Sequence, residues 1–575
     1  MTPQANRTGK RSRLTGENTK HVKRQFINRA TIVEDLSAGL VLGIQSIPSG
    51  MANGLLALVN PIYGLHGYMM GVFTGAFFTS SAFMSVQGTS AMALVVASVP
   101  QVTQANYPNT PLFALALLTG LFMLSAGLLK LGSLLRFVPN SVMTGFINAV
   151  AVLIILGQLD DFTGYVSFGG NRVMRTIDLM QNTSQFHLPT LLVGTLTIIL
   201  ILTLEKTSLK ALGMVVAMVV ASLAAPLLGA DSVALVRDIA EIPGSLPRPV
   251  LPPLAVFPYL ILPALSLTFV GLMQGASITQ SVPNPDGSYP NTSGEFVGQG
   301  MANLVAGLFQ GTAVGGSISG TAIVTSAGAR SRLANITAGI VIALVIVLFG
   351  RLVGLIAMPA LAGLLIVVGF RTLKPSEIVM VWKTGLVQEA VMVLTFTAAL
   401  LVPLQYAVML GVALAVLLFV FQQSNKVTVK AWEIQPGQYP TEGEPPSAVP
   451  PRKVTVLVPY GSLFYAAAPV FNAQLPEVTE ASRHAVVILA LRGKKDVGST
   501  FLKVVARYAS GLRQRESKLM LVGADPNVLE QMERTGILRA IGRKNVFMAT
   551  EGVGQALLQA VDAAETWVAA QPADQ

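Results

Sequence analysis

The chain contains no cysteine, which excludes disulfides, thiolate metal ligands and thiol nucleophiles. Charge is scarce too: Asp, Glu, Lys and Arg make up 12% of 575 residues, against 52% hydrophobic ones. That is too little charge and too much apolar surface for an ordinary soluble protein. The four histidines, His21, His66, His187 and His484, lack the spacing of a metal or catalytic cluster and are expected in loops or on the surface. No GxxxxGK[ST] loop occurs, and LVGAD falls far short of a dinucleotide fingerprint. The net charge of +11 is spread over the N-terminal region, short loops and the C-terminal region, not gathered on one basic face with aromatics, so nucleic acid is not an expected partner. No enzyme, cofactor or metal site is expected.

What the chain has in abundance is apolar runs. They recur at 35–59, 65–82, 89–100, 111–131, 138–157, 189–204, 209–228, 256–280, 296–311, 319–328, 333–350, 352–370, 385–402 and 404–422, fourteen segments of a polytopic membrane domain. Pro48 breaks the first of them, which is tolerable where a helix lines a cavity. Before them, the stretch to Arg29 carries Arg7, Lys10, Arg11, Arg13, Lys20, Lys23, Arg24 and Arg29 against the single acid Glu17. It has no apolar signal-peptide core and is expected to be a cytoplasmic tail, residues 1–31.

Loop charge orients the segments. Loops on the tail's side hold Lys130, Arg136, Lys206, Lys210, Arg330, Arg332, Arg371, Lys374 and Lys383, and the opposite loops hold only Arg172, Arg175, Arg237, Arg248 and Arg351. Nine against five places the tail inside. The opposite side also collects Asp160, Asp161, Asp178, Asp231, Asp238 and Glu241. An even number of segments then puts the C-terminal region inside as well.

Two segments are short. GGSISGTAIVTSAG, Gly315 to Gly328, and QGTSAMALVVASVP, Gln87 to Pro100, each begin with glycine and hydroxyl residues and continue for about half a bilayer core. They are third and tenth of fourteen, the same place in two successive sevens, and the charge-derived orientation makes them antiparallel with facing N-termini. This is the pattern of a seven-plus-seven inverted repeat, in which paired half-helix N-termini can hold an anion through backbone N–H groups and helix dipoles. Small-residue packing faces between helices give the same local pattern.

After Gln423 the composition changes. The stretch 424–452 reads as linker because IQPGQYPTEGEPPSAVPPRK is rich in proline and glycine. From 453 to 575 short apolar strands (VTVLVPYG, HAVVILAL, KLMLVG, NVFMAT) alternate with amphipathic helices, which indicates a small cytoplasmic α/β domain with one sheet.

The run DLSAGLVLGIQSIPSGMANGLLALVNPIYGLHG, Asp35 to Gly67, resembles the first-helix signature of the SulP anion-permease family, relatives of prestin and pendrin. EFVGQGMANLVAGLFQG (Glu295 to Gly311), MPALAGLLIVVG (Met358 to Gly369) and a C-terminal region similar to the STAS domain follow in the family's order. The resemblance implies a transmembrane domain over 32–423 with a core and a gate, and an anion held between segments three and ten. It also implies elevator-type movement of the core, a homodimer in the cell (inner) membrane, and no enzymatic activity. Its default substrate is sulfate, with bicarbonate or chloride as alternatives, carried by secondary active or exchange transport. A nucleobase or dicarboxylate on the same fold, or a membrane-embedded regulator acting through a cytoplasmic partner of the STAS-like domain, are the competing readings.

By position, the resemblance assigns the substrate site to Ser49 and Asn53 of segment one, to Gly88, Thr89, Ser90 and Ala91 of segment three, and to Ser317, Ser319, Gly320 and Thr321 of segment ten. Relatives commonly have glutamine and an aromatic at the first two positions. Many also place an arginine where this chain has Gly320, which leaves the site to dipoles and hydroxyls. On segment eight, Gln274 stands where prokaryotic relatives often carry a coupling acid; glutamine can neither titrate nor offer a negative ligand to sodium. Read as residues alone, Gln274 also fits a polar staple hydrogen-bonded to a neighbouring helix, and Asn53 a packing residue. Ser319 and Thr321 at a helix start are expected to cap or to meet the anion, not to bond their own helix. Glu389, early in segment thirteen, is expected near the cytoplasmic face, and Ser499 and Thr500 are expected to cap a helix in the STAS-like domain.

Overall fold

The computed structural model describes residues 31–103, 110–132, 138–207, 209, 212–226, 233–239, 244–435 and 438–572. The basic residues to Arg29, with Arg136, Lys210, Asp231 and Glu241, lie outside the described residues.

Each of the fourteen apolar segments carries a helix. In chain order these are α1 (Ile32–Leu56), α2 (Pro61–Phe78), α3 (Ser90–Ala97), α4 (Thr110–Leu128), α5 (Asn140–Leu156), α6 (Leu188–Leu204), α7 (Gly213–Ala224), α8 (Phe257–Ser281), α9 (Thr292–Leu308), α10 (Ile318–Ser326), α11 (Leu333–Val353), α12 (Met358–Thr372), α13 (Leu386–Leu401) and α14 (Leu404–Asn425). Among the described residues, helical stretches at 110–128, 140–163, 254–281 and 333–353 are long and apolar enough to cross a membrane by themselves. Others are shorter, such as α3 and α10 with eight and nine residues, or less apolar; α1 runs through Pro48 as one continuous helix.

The helices sort into two groups. α1 packs on α2 and α11, α9 on α4 and α2, and α8 on α4, whereas α5 packs on α12 and α13, and α6 on α7 and α12. The first four helices of each seven make one group and the last three the other, with α14 joining the latter where Gly411 lies against Thr395 of α13 and Val142 of α5; this is the core-and-gate arrangement of an inverted repeat. Close approach inside the core depends on glycine. A Cβ on Gly64 of α2 would stand 2.0 Å from the Gly50 carbonyl oxygen of α1, and one on Gly300 of α9 would stand 2.5 Å from Leu124 N of α4. Van der Waals packing of backbone against backbone replaces the hydrophobic drive that lipid removes.

Two short strands precede the half-helices: β1 (Ser85–Gln87) leads into α3 and β2 (Gly315–Ser317) into α10. They pair antiparallel, with Ser85 opposite Ser317 and Gln87 opposite Gly315.

The chain divides into two compact units at Val412/Ala413, inside α14. The second unit holds a six-stranded sheet of order β4-β3-β5-β6-β7-β8: β3 (Thr428–Glu433), β4 (Thr441–Gly443), β5 (Val454–Tyr460), β6 (Val486–Ala490), β7 (Lys518–Ala524) and β8 (Val546–Met548). The last four run parallel, and their apolar side chains are buried on both faces. One face carries α15 (Ser499–Gln514) and α16 (Pro526–Arg534), the other α17 (Gln555–Ala569). The stretch expected as linker contributes β3 and β4, because Val427 and Val429 before the proline-rich run are buried in this core.

Two expectations about single residues fail here. Gly498, not Ser499 or Thr500, is the N-cap of α15, and no side chain caps it. His66 is buried within α2, with Nδ1 3.3 Å from the Gln310 carbonyl, because α2 starts at Pro61 and carries His66 in its interior. His484 is buried as well.

Candidate functional site

Antiparallel pairing of β1 with β2 sends α3 and α10 away from each other in opposite directions, so their N-termini meet head to head. An α-helix leaves its first N–H groups without intrahelical acceptors. Here these belong to Ser90 and Ala91 on one side and to Ile318 and Ser319 on the other. Both helix starts are capped. Thr89 accepts from Met92 N at 3.3 Å, and Ser317 accepts from Gly320 N at 3.0 Å.

Three further helices, α1, α2 and α8, add polar side chains around this junction. Ser90 Oγ donates to Asn53 Oδ1 of α1 at 3.0 Å, and Asn53 Nδ2 donates to Tyr68 Oη of α2 at 2.6 Å and to the Gly88 carbonyl at 3.2 Å. Thr89 Oγ1 donates to Gln274 Oε1 of α8 at 3.0 Å. Ser317 Oγ lies 3.2 Å from Ser319 Oγ, which is exposed. Asn53, Gly88, Thr89, Ser90 and Gln274 are therefore joined at the start of α3, whose first turn buries Ala91, and Ser317, Ser319 and Gly320 form the start of α10 across the strand pair. Every side chain in this network is neutral, so any anion here would be held by dipoles and N–H or O–H donors.

Two expected residues turn elsewhere. Ser49 Oγ donates to the Gln45 carbonyl of its own helix at 3.1 Å, next to the position where Pro48 supplies no N–H. Thr321 is buried and donates to the Ser317 carbonyl at 2.7 Å while accepting from Ser85 N at 3.1 Å. Back-bonding, not capping, is the fate of Thr321, since Ser317 already holds the cap. Ser319 does not cap its helix either; it presents an exposed hydroxyl beside the cap.

The support of the strand pair went unread in the sequence. A two-stranded ribbon has two outer edges, and here side chains satisfy them. Asn303 of α9 donates to the Val314 carbonyl at 2.6 Å and accepts from Val314 N at 2.8 Å; Gln299 Oε1 accepts from Gly316 N at 2.9 Å. On the β1 side Asn335 of α11 donates to the Met84 carbonyl at 3.2 Å and accepts from Ser85 Oγ at 2.7 Å. Glu295 Oε1 accepts from Ser80 Oγ and from Ser81 N, each at 2.5 Å. Arg332 donates to the carbonyls of Ala76 at 3.0 Å, Thr79 at 2.6 Å and Ser80 at 3.0 Å at the end of α2. The signal was available: Glu295, Gln299 and Asn303 recur every four residues along one face of the segment EFVGQGMANLVAGLFQG.

Glu389 lies half-buried in the first turn of α13, outside this network. Among the described residues no cluster of His, Asp or Glu could hold a metal ion.

Residues 32–397 match the sulfate permease family and residues 446–552 match the STAS domain. The chain belongs to the sulfate permease family of anion transporters, which are not enzymes, and is a multi-pass membrane protein followed by a STAS domain. Sulfate transporter 4.1, chloroplastic, of Arabidopsis thaliana is 23% identical over 554 residues, which span 92% of this chain and 80% of its own. The bicarbonate transporter BicA of Picosynechococcus sp. is 27% identical over 404 residues, 68% of this chain and 70% of its own. The structure of the murine anion transporter Slc26a9 in the inward-facing state superposes with a TM-score of 0.82 at 19% identity, covering 94% of this chain and 93% of that one. At that identity the likeness is one of fold.

Proposed function

We propose that the protein carries a small inorganic anion across the cell membrane by secondary active or exchange transport, binding it between the N-termini of α3 and α10. The observation that carries this reading is the head-to-head junction made by β1 and β2, lined by Asn53, Thr89, Ser90, Gln274, Ser317 and Ser319. Two opposed helix N-termini attract an anion without a fixed counter-charge, so the ion is held and can still leave. Sulfate is the substrate the family name favours; bicarbonate, named for BicA, suits the same neutral donors. The division into two helix groups supports an elevator movement of α1–α4 with α8–α11 against the rest. With Gln274 in place of an acid, coupling to a proton or sodium ion does not pass through that position. The same reading puts both termini in the cytoplasm and takes the working unit as a homodimer in the inner membrane.

The test is flux in proteoliposomes with sulfate, bicarbonate and chloride, each with and without sodium and a pH gradient. Ser90→Trp and Ser319→Trp are expected to abolish flux in protein that still elutes as a folded species. Flux at the unaltered rate in either variant would remove the site assignment.

A further inference from the structure

The segment that leads from the end of β1 into α3 begins with Gln87, a residue the transport reading leaves without a role. It is 3% exposed. Its Nε2 donates to Ser46 Oγ of α1 at 2.8 Å, and its backbone pairs with Gly315 of β2. The rest of the carboxamide lies against the first turn of α10. A Cβ placed on Gly320 would stand 2.4 Å from Gln87 Oε1 and 3.0 Å from Gln87 Cδ, with Ser85 Cβ at 3.1 Å. Gln87 and a side chain at 320 therefore compete for one volume, and Gln87 occupies it.

We propose that Gln87 is a positioning residue: its carboxamide, braced on Ser46 and lodged where Gly320 has no side chain, sets the separation between the N-termini of α3 and α10. The inference rests on the assignment of that junction as the anion site. Its physical basis is the short range of the forces involved. A helix terminus acts on an anion over its first turn only, and an N–H···O bond needs a donor–acceptor distance of about 2.7–3.2 Å. Donors on two helices serve one ion only if the helices are held at one spacing. Glycine at 320 is then a requirement of Gln87, because any larger residue pushes α10 away from β1. Gln87 acts through the backbone it positions and not by touching the ion.

The experiment measures the affinity of the full-length purified protein for sodium sulfate and sodium bicarbonate by anion-dependent thermal shift, together with the KM and maximal rate of flux. Gly320→Ala is expected to weaken the apparent affinity about tenfold, and Gly320→Ala with Gln87→Ala is expected to return to within about threefold of the unaltered protein, because the methyl group then fills the vacated space. Gln87→Ala alone is expected to weaken affinity about tenfold, whereas Gln87→Met, which keeps the volume without the amide, stays within about threefold. A double variant no better than Gly320→Ala, or single variants with unaltered affinity, would overturn the proposal. Equal losses in Gln87→Met and Gln87→Ala would overturn it as well, since they would show that the volume Gln87 fills does not set the affinity. If Gly320→Ala does not fold, the Gln87 pair decides alone. Failure of the transport reading looks different: the unaltered protein itself would show no anion-dependent shift and no flux.

Discussion

Asn53 serves three partners at once, the buried Tyr68 hydroxyl, the buried Gly88 carbonyl and the half-buried Ser90 hydroxyl. Asn53→Ala leaves these groups unsatisfied, at about 1–3 kcal/mol for each buried one. The expected outcome is a lower melting temperature and a weaker stabilisation by added anion than in the unaltered protein. Isosteric Asn53→Asp puts a negative charge against the site and is expected to remove the anion-dependent part altogether. A second residue prediction concerns the STAS domain. Glu442 accepts from Tyr460 Oη at 2.6 Å and from Trp432 Nε1 at 3.1 Å, and the Tyr460 hydrogen bond, then that of Trp432, holds its carboxyl below the usual carboxylate range. A carboxyl whose folded pKa lies below its unfolded one stabilises the fold above the unfolded pKa, and that stabilisation is lost as pH falls through the folded pKa. Trp432 fluorescence is therefore expected to change on acidification below the ordinary carboxylate range, and Glu442→Gln to flatten that response.

At the scale of elements, the strand pair is the part whose support can be removed piecewise. Asn303→Leu keeps the branching and the number of side-chain heavy atoms but leaves Val314 N–H and C=O without partners in a low-dielectric interior. Thermal unfolding is expected to fall by the equivalent of about 2–6 kcal/mol for the two groups together, and flux to fall with it, because β2 sets the start of α10. The α1–α2 crossing is tested by Gly64→Ala. Its Cβ would meet the Gly50 carbonyl at 2.0 Å, and neither partner is a flexible side chain, so separation of the helices is the only relief. A cost at or above the usual overpacking range of about 1–3 kcal/mol is expected in the same assay.

For the whole molecule, the two units have separate apolar cores. Phe501 and Phe471 pack with tilted rings, centroids 4.8 Å apart, in the core of the second unit, and neither is exposed to solvent. Phe501→Ala is expected to cost about 3–5 kcal/mol, enough to unfold a domain of this size at moderate temperature. Because no part of the anion site lies in that unit, the helical unit is expected to keep its own transition, still shifted by anion. Loss of both transitions together would show that the units depend on each other for stability.

The order and length of apolar runs determined the fourteen helices, and their place in two sevens determined the pairing of α3 with α10, because the cost of a polar backbone in lipid leaves a polytopic chain few other arrangements. Alternation of apolar runs with amphipathic helices determined the α/β character of the second unit but not where it starts: Thr428–Glu433 and Thr441–Gly443 read as linker, because the nearby prolines mask a strand whose partner, Val454–Tyr460, lies far along the chain. Which hydroxyl at the start of α10 faces outward, and which bonds its own helix, only the tertiary structure decided. Ser317 took the cap, Thr321 turned to Ser317 and to Ser85, and Ser319 was left exposed. The tertiary structure alone also brought Gln87 against Gly320 and set Gln299, Asn303 and Asn335 along the ribbon edges. The reason is physical: hydrophobic period is a property of one segment, whereas a hydrogen bond or a shared volume belongs to two segments, and its partner is unknown until the chain has folded.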